Sequence, residues 1–377
     1  MMEPPCSRVP HRAFWRRRRD QLATLLIAAG GIGVIMAVMA IGAFLVMETL
    51  PALFGGRLTM DQVFTALAPM AWGTLKAALW AIVFAVPLAL GAAIHSSMFM
   101  SQRLRSRMKP TLEMMEALPG VVVGFVAGLV MAPWVERHLA MVLLLFLVLP
   151  LGILLAAAAW RRFPSVWRSR LPLSRAGLWL LPWLLLLVWL TLQLSPGLEA
   201  LLFAGDLKGW LDRELGIDYA SRNALIVGVA MGFAVMPSVY ALAEDALSGV
   251  PRRLGEGAQA LGATRWQTLW RVILPAAAPG IFAAVMIGAG RAVGETMIVL
   301  MASGNAALMS LSPFEGMRSM AAGIAVELPE AVPGSEAYIL LLLAALVLFL
   351  FTFLVNTLAE VVRHRLQRRY RWLGSAS

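Results

Sequence analysis

Arg291 and Glu295 are the two residues best placed to do chemistry, because they interrupt the apolar stretch 277–302 near its middle. In a helix, a spacing of four puts both side chains on one face. Even low scales put an ionised group at mid-bilayer at about 2.5–3.5 kcal/mol, so such residues face a polar interior or a pathway. The arginine offers a planar fork of donors suited to oxyanions such as phosphate. The glutamate either balances that charge in an empty site or, when protonated, donates to the ligand. Chemistry alone also admits a structural ion pair that locks two helices.

A second constellation is the stretch 244–275, EDALSGVPRRLGEGAQALGATRWQTLWRVILP. Pro251 fits the first turn of a helix, where its missing amide costs nothing. A short helix then runs to Leu261, breaks at Gly262, and gives way to a second helical stretch ending before Pro275. A loop of about thirty residues between two apolar stretches is unusual unless it has a task. A helix with a sharp glycine turn suits insertion into a partner's groove. Periodicity leaves a helix lying on lipid as the alternative.

Other chemistry is sparse. The chain has no glycine-rich loop ending in Gly-Lys-Ser/Thr, so it does not hold ATP in that way. The single cysteine, Cys6, forms neither an internal disulfide nor a cysteine-based metal site. His95 has no metal-like neighbours, and no catalytic residue, metal site or cofactor is expected. The acidic stretch 195–221 reads as an external loop with a short amphipathic helix near Trp210.

The elements that must position these residues follow from composition. Hydrophobic residues make up 60% of the chain and charged residues 14%, against about 25% charged in soluble domains. The net charge of +11 lies in short bursts between apolar runs, which is a topology signal and not a nucleic-acid footprint. Eight apolar stretches occur, at 22–47, 70–94, 118–135, 139–159, 176–194, 223–243, 277–302 and 337–358. The first exceeds a signal-peptide core of about 7–15 residues and reads as an uncleaved span. Each stretch must be helical in lipid, where an unpaired amide costs several kcal/mol, and strand alternation is absent. The expected fold is an all-α polytopic membrane protein of about eight transmembrane helices.

Lys and Arg set the expected orientation. Six precede the first span, four, five and four occupy 95–117, 160–175 and 244–276, and five follow Glu360. These segments alternate onto one side, and Arg57, Arg137, Lys208, Arg213, Arg222 and Arg318 fall on the other. The basic side is therefore expected to be cytoplasmic, with both termini inside. Lys76, a turn or two inside the outer end of the second span, is expected to snorkel to the interface.

The loop resembles the coupling loop of bacterial ABC-importer permeases, whose pattern is Glu-Ala-Ala, three residues, Gly, nine residues, Ile, one residue, Leu-Pro. Here it reads Glu256-Gly257-Ala258, Gly262, Val272 and Leu274-Pro275, with Gly257 replacing Ala and Val272 replacing Ile. The stretch 290–305, GRAVGETMIVLMASGN, is similar to the phosphate-specific members, in which Gly-Arg-Ala-x-Gly-Glu-Thr-Met follows the coupling loop. ALPGVVVGFVAGLVMAP (117–133) resembles that family's third core helix, and AEDALSGVPRRL its lead-in to the loop. The methionine after Glu-Thr favours the C-type subunit over the A-type.

The resemblance covers roughly 70–135 and 222–359. It implies an ABC importer type I permease fold with two helices added, and a multi-pass protein of the bacterial inner membrane. The implied organisation is a basic tail (1–20), a first span with an external segment (21–69), a permease domain (70–359) and a second basic tail (360–377). Within the domain, 136–221 contains the inserted pair and 244–276 the coupling loop. The implied partners are a homologous A-type permease, two ATP-binding subunits and a periplasmic or extracellular phosphate-binding protein, with lipid around the bundle. Arg291 and Glu295 would then serve phosphate passage, and ATP hydrolysis on the partners would drive alternating access. The rivals are an importer of sulfate, molybdate or phosphonate, a channel or ion-driven carrier, and a non-transporting regulator on the same scaffold.

Overall fold

The computed structural model describes residues 12–55, 58–162 and 176–370. The tail with Cys6, Arg57, most of the basic loop between the fourth and fifth apolar stretches, and residues 371–377 lie outside the described residues. Eight of the described helices are long and apolar enough to cross a membrane. Extended pairing among the described residues reduces to a single bridge between Gly304 and Met317. The chain is thus a multi-pass helical membrane protein.

The first two long helices, α1 (Arg12–Phe54) and α2 (Met60–Met98), are followed by a polar helix, α3 (Gln102–Glu116). The third span is α4 (Gly120–Val126), a π-helical turn (Ala127–Met131) and α5 (Ala132–Arg137). Next come α6 (Leu139–Arg162), α7 (Ala176–Phe203) and the short α8 (Leu207–Leu215), the amphipathic helix expected near Trp210. Beyond it are α9 (Ala224–Ser248), α10 (Arg252–Ala260), α11 (Arg265–Thr268), a second π-helical turn (Leu269–Ile273) and α12 (Leu274–Gly294). The chain ends with α13 (Met297–Ala302), α14 (Met320–Glu327) and α15 (Glu336–Tyr370).

The core is the pair α2 and α9, the largest helix–helix contact in the molecule. Ala77, Ala81, Ala85, Ala89 and Ala93 recur every fourth residue on α2, and all are buried. Small side chains at that spacing let a neighbouring backbone come close, which is how helices associate where lipid removes the hydrophobic drive. Gly228 and Gly232 of α9 return the fit, lying against Trp80 and Phe84. The two helices therefore run in the same direction, and α12 packs antiparallel to α9.

By contrast α1, α6 and α7 display large apolar side chains outward, including Ile27, Leu154 and Leu185. With lipid as solvent this is a satisfied surface. Helices α6 and α7 pack mainly on one another, with Trp183 Nε1 donating to the Gly152 carbonyl at 3.0 Å. The α6–α7 pair thus lies beside the core.

Two expectations fail here. The stretch 277–302 is not one helix: α12 stops at Gly294, Glu295 is extended (φ −72°, ψ 124°), and α13 starts afresh. The interruption is packed in place by a glycine stripe on the third span. Gly124 and Gly128 lie against the Met297–Ile298 backbone and the Met301 carbonyl, where a Cβ would collide, and Gly120 faces the Glu295 carboxylate. Lys76, in turn, does not snorkel. It is 2% exposed, because the segment from Ser303 to Ser319 folds back over that end of α2. Trp72 Nε1 donates to the Ser310 carbonyl at 3.0 Å and Met320 N to Thr74 Oγ1 at 2.9 Å.

Candidate functional site

The charged cluster is built from three elements. Arg291, near the end of α12, donates through Nη1 to Glu116 Oε1 at 2.6 Å and to Ser238 Oγ at 2.6 Å. Ser238 in turn donates to the same Glu116 oxygen at 2.7 Å. Glu116 is the last residue of α3, and Ser238 sits on α9 with 7% exposure. The ring is closed but not sealed, since the side chains of Arg291 and Glu116 keep 34% and 43% of their surface. Charge-assisted bonds of this kind are short and strong, yet they remain open to exchange where water reaches them.

Glu295 is close by but is not the arginine's counter-ion. Because the helix unwinds at Gly294, the expected shared face does not exist. Its Oε1 instead accepts weakly from Ile298 N at 3.5 Å, at the start of α13, and lies against Gly120 at the start of α4. The two sequence-predicted residues thus flank one break in the bundle, and the arginine's partners come from α3 and α9. Reasoning from sequence missed Glu116 and Ser238. The signal for Glu116 was its place directly before the stretch 117–133, and Ser238 carried none.

The loop residues form the expected helix–glycine–helix unit. Pro251 caps α10, which carries the exposed Glu256 and Gly257 and the half-buried Ala258. Gly262 takes φ +89°, a left-handed conformation that glycine adopts without penalty. Ala263 N then donates to the Ala258 carbonyl at 3.0 Å. Thr264 and Gln267 form a reciprocal capping box on α11, and Leu274-Pro275 opens α12. Leu261 is 92% exposed at the tip, and Trp266 and Trp270 stand beside it in an edge-to-face pair at 5.6 Å. A polar cleft of about 260 Å³ separates α10 from α3, lined by Arg105, Ser248, Arg252 and Glu256 among others.

A brace stands at the same end of the bundle. Glu244 of α9 is fully buried and pairs with Arg105 and Lys109 of α3, and Lys109 also reaches Asp245 at 2.5 Å. At the opposite end Lys208 pairs with Glu136 at 3.1 Å and lies 5.4 Å from the Tyr219 ring centre. Burial there pushes the Tyr219 phenol up from its ordinary pKa.

Charge carried inside a bundle whose outer faces are apolar is the construction of membrane transport subunits. This chain belongs to the family of binding-protein-dependent transport system inner membrane components, which its residues 82–372 match. It is an ABC-type permease, and helices α6 and α7 fall inside the matched stretch. Among its relatives, the probable ABC transporter permease protein YqgH of Bacillus subtilis (strain 168) is 33% identical over 144 residues, 38% of this chain and 47% of that protein. The phosphate transport system permease protein PstC of Pasteurella multocida is 34% identical over 142 residues, 38% of this chain and 44% of that one. PstC of Mesorhizobium japonicum is 35% identical over 175 residues, covering 46% and 49%. The chain spans just under half the length of these curated relatives.

Proposed function

We propose that this chain is the membrane-spanning subunit of an ATP-driven importer that carries inorganic phosphate across a bacterial inner membrane. The observation that carries the reading is Arg291, held in the last turn of α12 by Glu116 and Ser238 with a third of its side chain exposed. An arginine fork there suits a tetrahedral oxyanion, and Glu295 at the adjoining break adds a carboxylate to the same path. Relatives named as phosphate transport permeases add support.

The unit around Gly262, with Glu256 and the exposed Leu261, is the surface on which an ATP-binding subunit would dock. On this reading the basic end of the bundle, and both termini, would face the cytoplasm. A homologous permease, a second ATP-binding subunit and an external binding protein complete the machine. ATP hydrolysis on the partners alternates the exposure of the Arg291 site, and no covalent chemistry occurs in this chain.

ATP-dependent phosphate uptake in proteoliposomes holding the complete complex tests the reading. Arg291→Ala is expected to abolish uptake with assembly intact, and sulfate and molybdate are expected not to compete. Uptake of another oxyanion would keep the permease and discard phosphate. Full phosphate uptake by the variant would reduce Arg291 to a packing role, and a complex that moves no oxyanion would favour the regulator.

A further inference from the structure

We infer that Glu116 is an internal competitor for Arg291: its carboxylate occupies the arginine fork when no anion is bound, and an incoming oxyanion must displace it. The inference rests on the functional reading of Arg291 above and adds to it a residue that sets affinity.

Helix α3 carries two ion-paired contacts, one to α9 and one to α12, and they are built differently. Near its start, Arg105 and Lys109 hold the fully buried Glu244, and a carboxylate with no exposed surface has nowhere to go. At its end, Glu116 meets Arg291 and Ser238 with 43% of its side chain exposed. The first contact is a brace, and the second can exchange with water.

Position makes displacement feasible. Glu116 ends α3, and the chain then passes through Ala117 and Leu118 to Pro119, which precedes α4. A residue at a helix terminus is moved by a few backbone torsions without breaking a span. A carboxylate and a phosphate oxygen make the same kind of charge-assisted bond to a guanidinium, so Glu116 Oε1 stands where an anion oxygen would stand. Ser238, already donating to that oxygen at 2.7 Å, can donate to either occupant. An ionised Glu116 left beside the bound anion would repel it, so the carboxylate must swing off the fork. Its return helps expel the anion at release.

A ligand that competes with an internal group binds more weakly by the fraction of time the site is free. A half-exposed charge-assisted pair closed about 90% of the time lowers apparent affinity about tenfold. Glu116→Gln, with similar volume and no charge, is therefore expected to tighten binding of inorganic phosphate to the membrane complex, without ATP and without the external binding protein, by about tenfold. It is also expected to lower KM and kcat for uptake together, because release loses its competitor. Glu116→Asp is expected to restore both values toward the native ones. An unchanged phosphate affinity and KM in Glu116→Gln, with only a lowered thermal midpoint, would overturn the inference and leave Glu116 a brace like Glu244. That outcome would leave the functional reading standing as long as Arg291→Ala still abolished uptake. Full uptake by Arg291→Ala would overturn both.

Discussion

Replacing Glu244 by glutamine removes one charge from the α3–α9 contact and almost no volume, so its effect reports the ion pairs alone. Glu244 has no exposed side-chain surface, whereas Arg105 and Lys109 keep 24% and 30%. Deleting one partner of a buried pair costs about 3–5 kcal/mol when the other is left buried. In Glu244→Gln the stranded groups are the two cations, which can turn to water, and Lys109 retains Asp245 at 2.5 Å. The expected loss is therefore smaller, about 2 kcal/mol. Arg105→Met strands the carboxylate instead, with only Lys109 at 3.3 Å to hold it, and should reach about 3–4 kcal/mol. The double variant strands neither partner and should be more stable than the sum of the singles predicts by over about 1 kcal/mol. Denaturant unfolding of the full chain in detergent micelles measures all three. Additivity within about 0.5 kcal/mol, or a Glu244→Gln loss below that value, would refute the brace.

Three further outcomes are expected. Gly262→Val forces a β-branched residue to φ +89°; strain of about 1–3 kcal/mol should reshape the loop and lower uptake, with Gly262→Asn much milder, and equal uptake by both variants would refute the backbone account. Gly128→Val sets a side chain against the Met301 carbonyl and should cost about 1–3 kcal/mol through overpacking, readable as a fall in the denaturant midpoint; an unchanged midpoint would show that the 295–302 segment is not seated on the glycine stripe. Lys76→Met removes a buried ammonium whose Nζ has no hydrogen-bond partner among the described residues, and should stabilise the chain by about 1 kcal/mol or more; a loss of stability would mean that the ammonium is satisfied.

Much of the architecture was legible because lipid imposes its demands locally. A stretch of about twenty apolar residues must cross and must be helical, so all eight spans could be read one at a time. Helix α8 near Trp210 and the turn at Gly262 were equally local, marked by amphipathic pattern and by glycine. Sidedness and coupling partners were also inferred from sequence, and both still await experiment.

Three features needed the tertiary structure. The apolar run through Gly294 and Glu295 reads as one helix, since neither residue forbids continuation. In the structure it breaks at Glu295, and the 295–302 segment seats against three glycines of the third span. Lys76 reads as a snorkelling residue until the 303–319 segment is seen to cover it. Arg291 and Glu116 lie 175 residues apart, and no local pattern pairs them. Hydropathy, caps and turns act over a few residues, so the sequence by itself determined the eight spans and their helical type. Which charges meet depends on how helices distant in the chain pack side by side, and that only the tertiary structure decided.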